Sequence, residues 1–398
     1  MSKQVQDAYI VSAIRTPVGK APRGVFRTTR PDDLLAHCLS ETLKQAPGID
    51  PGVIGDVVVG CAMPEGEQGM NVARIATLLA GFPEQVPAMT INRFCSSGVQ
   101  AVELAAAQIR LGQADLAIGA GTESMSMVPM MGNKAAMNPA IFEDDHVAIA
   151  YGMGITAEKV AERWQVGRED QDRFALESHR RALAATEAGH FDAEISSYRV
   201  QHKQADLAAR QISSTDQLVS RDEGPRADTS EEVLAKLRPV FRAGGSVTAG
   251  NSSQMSDGAG AVLLASEAAL KRFDLEPIGR IVSYAVAGVA PEIMGIGPIE
   301  AIPKALAQAG IQQSDLDWIE LNEAFAAQSL AVIRELELDP ERVNPLGGAI
   351  ALGHPLGATG AIRTATLMHG LRRTGGRYGM VTMCIGTGMG AAAVFERL

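Results

Sequence analysis

Apolar positions along the chain fall into two periods, and their alternation marks out short strands and longer helices. Residues 8–14, Ala-Tyr-Ile-Val-Ser-Ala-Ile, predict a strand, and after a loop rich in Arg, Gly and Pro a helix starts at about Pro31. Cys38 lies within that helical run and reads as plain core packing. Residues 57–61 predict a second strand and 71–79 a helix. Residues 86–91 read as a buried strand, and beyond them Val99, Val102, Leu104, Ala105 and Ile109 recur at helical spacing. Residues 114–121 form the next strand. Strands alternating with helices in this way predict an α/β protein with a largely parallel sheet covered on both faces.

From about Ser124 to Thr248 the pattern changes. The stretch is rich in Met and charge, carries helical patterns over 156–164 and 168–188, and shows few strands. Its helices have apolar faces, so it reads as an insertion that covers the rest, and the turn-rich run 221–226 leads the chain back. Then the first pattern returns: a strand over 318–323, a helix over 325–336, a strand or loop start at 343–345, a helix over 360–371 and a strand over 379–384. Laid over residues 55–120, the order of elements is the same. This predicts two similar βαβαβ halves packed in layers and meeting at their strand ends. The boundaries implied are 1–123 for the first half, completed by about 249–273, then 124–248 for the insertion and 274–398 for the second half.

Composition narrows the class. A chain of 398 residues is too long for one ordinary core, which agrees with a doubled unit. The net charge of −10 argues against a nucleic-acid partner. No stretch has the unbroken apolar length of a membrane span, and the polar run 1–6 lacks the plan of a signal peptide, so a cytoplasmic location is expected. Cys38, Cys61, Cys95 and Cys384 lie far apart, without metal-ligand or redox-pair spacing, and are expected to be free thiols.

Three segments carry candidate chemistry. Cys95 sits at a strand-to-helix turn, where the first N–H groups and the positive end of the helix dipole would favour thiolate; the alternative is a buried, inert cysteine. If the halves are equivalent, pseudo-symmetry brings the Gly-rich turn around His354 towards Cys95, and a neighbouring imidazole can take a thiol proton. The alternative for His354 is a turn residue satisfied by backbone. Cys384 ends a strand and opens Ile385-Gly386-Thr387-Gly388, which reads either as N–H groups turned to a developing oxyanion beside a second thiol or as a tight strand-to-strand turn.

Together, Asn92-Arg93-Phe94-Cys95-Ser96-Ser97-Gly98, Asn322-Glu323-Ala324-Phe325, Gly353-His354-Pro355 and Cys384-Ile385-Gly386-Thr387-Gly388 resemble the thiolases, in the same order and over nearly the whole chain. Met153-Gly154-Ile155-Thr156-Ala157-Glu158 looks closest to the degradative 3-ketoacyl-CoA thiolases. The resemblance implies thiolytic cleavage of a 3-ketoacyl-CoA by CoA through an acyl group on Cys95, with Cys384 moving protons. It implies that His354 takes the Cys95 proton and, with a water on Asn322, forms one oxyanion site, the N–H groups of Cys95 and Gly386 forming the other. No metal or redox cofactor is implied; CoA and acyl-CoA are substrates. By the same resemblance Ser253, in the run 248–253, touches pantetheine, Arg226 meets the nucleotide end, and Met153, Met294 and Phe325 line the acyl pocket. Arg226 reads equally as a solvated loop charge.

One departure bears on substrate. The short-chain biosynthetic branch has a histidine where this chain has Gly152, and its loss leaves room for longer apolar chains. Cleavage in fatty-acid β-oxidation is therefore favoured over an acetoacetyl-CoA thiolase running condensation. A ketoacyl synthase would place His or Asn where Cys384 stands, and the intact set Cys95, Asn322, His354 and Cys384 counts against a non-catalytic lipid-binding relative. The resemblance further implies a homodimer or homotetramer, with membership of a β-oxidation complex left open.

Overall fold

Helix starts fall where their residues dictate. Asn71 accepts the Arg74 N–H and caps one helix, while Pro31, whose fixed φ suits a first turn, opens another. The computed structural model describes residues 5–206 and 210–398, so the first four residues of the polar lead 1–6 and residues 207–209 lie outside it. The first part runs β1 (Tyr9–Arg15), β2 (Gly19–Lys20), α1 (Pro31–Lys44), β3 (Asp56–Gly60), α2 (Val72–Leu79), β4 (Ala88–Ile91), α3 (Ser97–Arg110) and β5 (Leu116–Ser124). The middle holds α4 (Met153–Arg163), α5 (Arg168–Glu187), β6 (Tyr198–Asp206), β7 (Gln211–Val219) and α6 (Glu231–Ala235), after which β8 (Ser256–Ala265) and α7 (Glu267–Phe273) follow. The last part is β9 (Gly279–Gly288), α8 (Gly297–Ala309), β10 (Leu316–Leu321), α9 (Ala326–Glu335), α10 (Ala349–Leu352), α11 (Leu356–Thr374), β11 (Tyr378–Ile385) and β12 (Met389–Arg397).

The main sheet has the order β10-β11-β12-β9-β1-β8-β5-β3-β4, with β2 beside β8. It joins two equivalent sets. In the first, β4 and β5 flank β3 in parallel, β8 runs antiparallel to β5, and β1 antiparallel to β8. In the second, Val343 bridges β10 in parallel, β11 is parallel to β10, β12 antiparallel to β11, and β9 antiparallel to β12. The expected duplication is present, and β1 meets β9 over only two residue pairs.

The expectation of a largely parallel sheet is corrected: it is mixed. The pattern reading passed over β8, β9 and β12, whose Gly- and Ala-rich runs supply most of the antiparallel pairs. The segment 86–91 is also shorter and wetter than expected, because β4 is a half-buried edge strand.

Alternate residues of each strand enter different cores, as strand geometry requires. Val57 and Val59 pack outward with Leu34, Leu35 and Leu39 of α1 and Ala73 of α2. Val58 packs inward with Val99, Val102 and Ile109 of α3 and with Leu367 and Leu371 of α11. In the second set, Ile319 and Met380 pack outward on α8 and α9, while Val381 and Met383 face the central helices. The result is five layers, with α3 and α11 in the middle. Every residue from Leu356 to Met368 is buried, which is the signature of a helix with sheet on both sides.

The insertion is tied to the first half by a buried ion cluster. Arg15 donates from Nε to Glu194 at 2.6 Å and forks onto Asp222 at 2.7 and 2.9 Å. It also contains an antiparallel hairpin, β6–β7, absent from the sequence reading. Residues 211–218 are exposed, so the strand has no apolar face to signal it.

Candidate active site

Cys95 lies in a single 3₁₀ turn, Phe94–Ser96, between β4 and α3. The turn is held by its own polar groups. Asn92 Oδ1 accepts the Phe94 N–H at 2.8 Å, and Ser97 Oγ accepts from the Arg93 N–H at 2.8 Å while donating to the Phe94 carbonyl at 2.7 Å. Phe94 takes φ +44°, a left-handed value uncommon for an aromatic residue and a place where strain is stored beside Cys95. Two N–H groups reach the sulfur: that of Gly386 and that of Cys95 itself.

Those donors do not make Cys95 a thiolate. Burial outweighs them and pushes the thiol up to about 11, with Glu123 adding to the rise. The expectation that the helix start favours thiolate is therefore corrected: the thiol is the resting form and a base must take its proton.

His354 follows Gly353, which has φ +92° and turns the chain from α10 into α11. The ring is buried, and burial with the nearby Arg363 charge holds its pKa down to about 3, so it is neutral. Its tautomer follows from its partners. Thr359 Oγ1 donates to the Pro355 carbonyl at 3.1 Å and lies 2.6 Å from His354 Nδ1. With its one hydrogen committed, Thr359 accepts from Nδ1–H, which leaves a lone pair on Nε2. That nitrogen lies 3.3 Å from Asn322 Nδ2. Asn322 Oδ1 is buried with no hydrogen-bond partner, so the site keeps an unused acceptor.

Cys384 is the penultimate residue of β11, and its thiol donates towards Gln328 Oε1 at 3.7 Å. Burial raises this thiol strongly, and the adjacent Cys95 raises it further. The segment after Cys384 is a tight strand-to-strand turn. Ile385 pairs with Met389 across a tight turn in which Thr387 and Gly388 have φ +66° and +90°, and that turn sends the Gly386 N–H to the Cys95 sulfur.

Two buried carboxylates that the sequence reading passed over hold these turns. Glu123 accepts from the N–H groups of Ala62 (2.8 Å), Met63 (3.2 Å) and Gly357 (2.8 Å) and from Gln68, linking the end of β3 to the start of α11. Glu323 accepts from Ser178 Oγ (2.7 Å), Asn344 Nδ2 (2.9 Å) and the Ile350 N–H (3.1 Å), fixing the loop that leads to His354. Gln328 and Thr359 were also missed. Gln328 sits six residues after Asn322 and Thr359 five after His354, each at an otherwise apolar helical position, and that is the signal that could have found them.

Of the remaining predicted residues, Met294 and Phe325 join the buried cluster around Cys384, with Met153 packed against it. Phe325 meets the ring of Phe241 edge-on at 6.1 Å. Ser253 is half-buried, its N–H bonded to the Ala324 carbonyl at 2.9 Å, while the adjoining Ser252 bridges Phe325. Arg226 stands apart, about half exposed, forked onto Asp228 at 3.2 and 3.1 Å. A cavity of roughly 300 Å³ opens beside Cys95, Gly386 and Met153. Among the described residues no cluster of His, Cys, Asp and Glu is arranged to hold a metal, and no helix is long and apolar enough to cross a membrane.

Comparison with known proteins places this geometry. Residues 8–268 match the profile of "Thiolase, N-terminal domain" and residues 275–397 that of "Thiolase, C-terminal domain". The chain is 52% identical over 395 residues to a 3-ketoacyl-CoA thiolase of Bacillus subtilis (strain 168), covering 98% of this chain and 100% of that one. It is 49% identical over 392 residues to the peroxisomal 3-ketoacyl-CoA thiolase A of Rattus norvegicus, covering 98% and 88%. Among solved structures it superposes on human mitochondrial 3-ketoacyl-CoA thiolase with a TM-score of 0.88 at 38% identity, and on Bacillus anthracis acetyl-CoA acetyltransferase with 0.90 at 39%, each over 100% of both chains.

Proposed function

The chain belongs to the thiolase family, and on that premise we propose that it is the acyltransferase that cleaves a 3-ketoacyl-CoA with free CoA, giving acetyl-CoA and a shortened acyl-CoA, as in fatty-acid β-oxidation. The observation that carries the reading is the convergence at one sulfur. Two backbone N–H groups and a second thiol, Cys384, meet at Cys95, while the neutral imidazole of His354 is held between Thr359 and Asn322.

Each group then has a step. His354 Nε2 takes the Cys95 proton as the sulfur adds to the 3-keto carbon, and the new oxyanion is held by the N–H groups of Cys95 and Gly386. Preorganised donors of this kind contribute about 3 kcal/mol each. The C2–C3 bond breaks, the acyl group stays on Cys95, and the acetyl-CoA enolate is held at its oxygen by His354 Nε2–H and a water on Asn322. Cys384 gives its proton to C2. It then takes the proton of an incoming CoA thiol, whose sulfur attacks the acyl-enzyme and releases Cys95, and His354 returns the proton. Division through a covalent intermediate requires ping-pong kinetics.

CoA would lie along the run 248–253, with Ser253 at pantetheine, Met294 and Phe325 forming apolar wall near Cys384, and Arg226 at the nucleotide end. No metal or redox cofactor takes part. The protein would act in the cytoplasm as a homodimer or homotetramer. Exposed Ile75, Leu78, Leu79 and Met89 beside the free edge of β4 support self-association there. The test is loss of ketoacyl thioester with and without CoA, for wild type and Cys95→Ala. CoA-dependent cleavage abolished in the variant supports the reading, and activity without Cys95 overturns it.

A further inference from the structure

We propose that Arg363, paired with Glu320, is a positioning residue for His354: its buried charge, one helical turn beyond the imidazole's partner Thr359, keeps the ring from holding a second proton. The inference rests on the proton-transfer reading of His354 and adds to it the pair that sets the charge of the ring from behind.

Two rows of side chains frame the imidazole. On α11, Thr359 and Arg363 stand four residues apart and share one face of the helix. On β10, Glu320 and Asn322 stand two apart and share one face of the strand, since the Asn322 N–H still bonds to the Thr382 carbonyl of β11 and carries the alternation past Leu321. His354 spans the rows at one level, with Nδ1 2.6 Å from Thr359 Oγ1 and Nε2 3.3 Å from Asn322 Nδ2. Arg363 and Glu320 span them at the next, Nη1 to Oε2 at 3.5 Å.

That second rung acts through charge. Both side chains are buried. Glu320 Oε1 accepts from Trp318 Nε1 at 2.6 Å, whereas Oε2 has no hydrogen-bond partner and meets the guanidinium only as an ion pair. Burial pushes the Glu320 carboxyl up to about 7 against the pull of Arg363 and Trp318, and Glu194 from the insertion and Glu323 beside Asn322 add to the rise. Its negative charge is thus only partly present at neutral pH, and much of the Arg363 charge is left unopposed. Burial and Arg363, in that order, hold His354 down to about 3, and among the described residues Arg363 is the one charged side chain that bears on the ring. A base that takes the Cys95 proton must also return it. A like charge behind the ring keeps Nε2 bare at rest and makes the imidazolium short-lived.

The experiment follows the protonation of His354 by ¹⁵N NMR in histidine-labelled protein, its signal assigned by loss in His354→Asn. Wild type, Arg363→Lys and Glu320→Gln each keep the arginine or an equal charge, so the ring should stay neutral down to about pH 5 in all three. In Arg363→Met it should titrate above about pH 5, towards the ordinary histidine value. The acid limb of kcat/KM for cleavage with CoA should rise with it, while KM for CoA stays within about twofold of wild type. Should Arg363→Met fail to fold because Glu320 is left buried and unpaired, Arg363→Met/Glu320→Gln removes both charges and should show the same titration. A ring still neutral at about pH 5 without Arg363 overturns the proposal. So does a ring that titrates equally in Arg363→Met and Glu320→Gln, which would mean that the pair only closes the site to water. Wild type that cleaves no ketoacyl thioester overturns the thiolytic reading instead, and the NMR arm still decides this one.

Discussion

His354 Nδ1 lies 2.6 Å from Thr359 Oγ1, and that contact fixes the lone pair on the other ring nitrogen, beside Asn322. Thr359→Val removes the acceptor and lets the proton move to Nε2, where the ring can no longer take one from Cys95. A general base contributes roughly 10²- to 10⁴-fold, so kcat/KM should fall at least about tenfold in Thr359→Val and recover in Thr359→Ser. Because a merely structural role would also slow Thr359→Ser, the recovery is the informative readout.

Cys95 should behave as an ordinary protonated thiol at neutral pH. With burial pushing it up to about 11 and His354 neutral down to about 3, neither group changes charge between pH 6 and 9. Raising the pH populates more thiolate, so inactivation by iodoacetamide should speed up close to tenfold per pH unit across that range. A plateau above pH 7 would mean a preformed thiolate–imidazolium pair and sink this account.

The central helices carry the two halves of the site on touching backbones. A Cβ at Gly98 would lie 2.7 Å from the Ala361 nitrogen and 2.9 Å from the Gly357 oxygen, both main-chain atoms of α11 that cannot rotate away. Gly98→Ala should therefore push α3 from α11 at a cost of about 1–3 kcal/mol. Since Cys95 precedes one helix and His354 the other, kcat should fall along with Tm. An unchanged thermal midpoint by calorimetry would show that the helices have slack.

The same packing explains what the sequence could and could not disclose. Cys95, His354 and Cys384 are legible as candidates because each stands where a strand or turn breaks into glycine-rich chain, and breaks of period are local signals. The duplication was legible because β3 to β5 and β10 to β11 repeat one order of elements. The antiparallel strands were not, since β8 reads as small residues without alternation when both its faces are buried. Glu123, Glu323 and Gln328 each reach a distant partner, Gly357, Ser178 and Cys384, that lies 234, 145 and 56 residues away, and no short window along the chain contains both ends of those bonds. The resting protonation of Cys95 was misread for a related reason. A helix start is visible in sequence, whereas the desolvation that outweighs it is set by the whole fold.

Gln328 couples the second thiol to the oxyanion side of the site. Its Oε1 accepts from Cys384 at 3.7 Å and from the Phe325 N–H at 3.3 Å, while its Nε2 donates to the Asn322 carbonyl at 3.4 Å. In Gln328→Leu the Cys384 thiol loses the acceptor that aims it, so proton transfer at C2 of acetyl-CoA should slow more than chemistry at Cys95. The expected outcome is a drop in kcat of about tenfold or more and slower deuterium entry into the acetyl methyl group from D₂O, followed by NMR. The rate of Cys95 alkylation should stay within about twofold of wild type. In Gln328→Glu a buried carboxylate would push the Cys384 thiol higher still, and the exchange should be slower than in the leucine variant. Equal loss of exchange and alkylation in both proteins would mean that Gln328 only holds the fold, and the coupling would have to be abandoned.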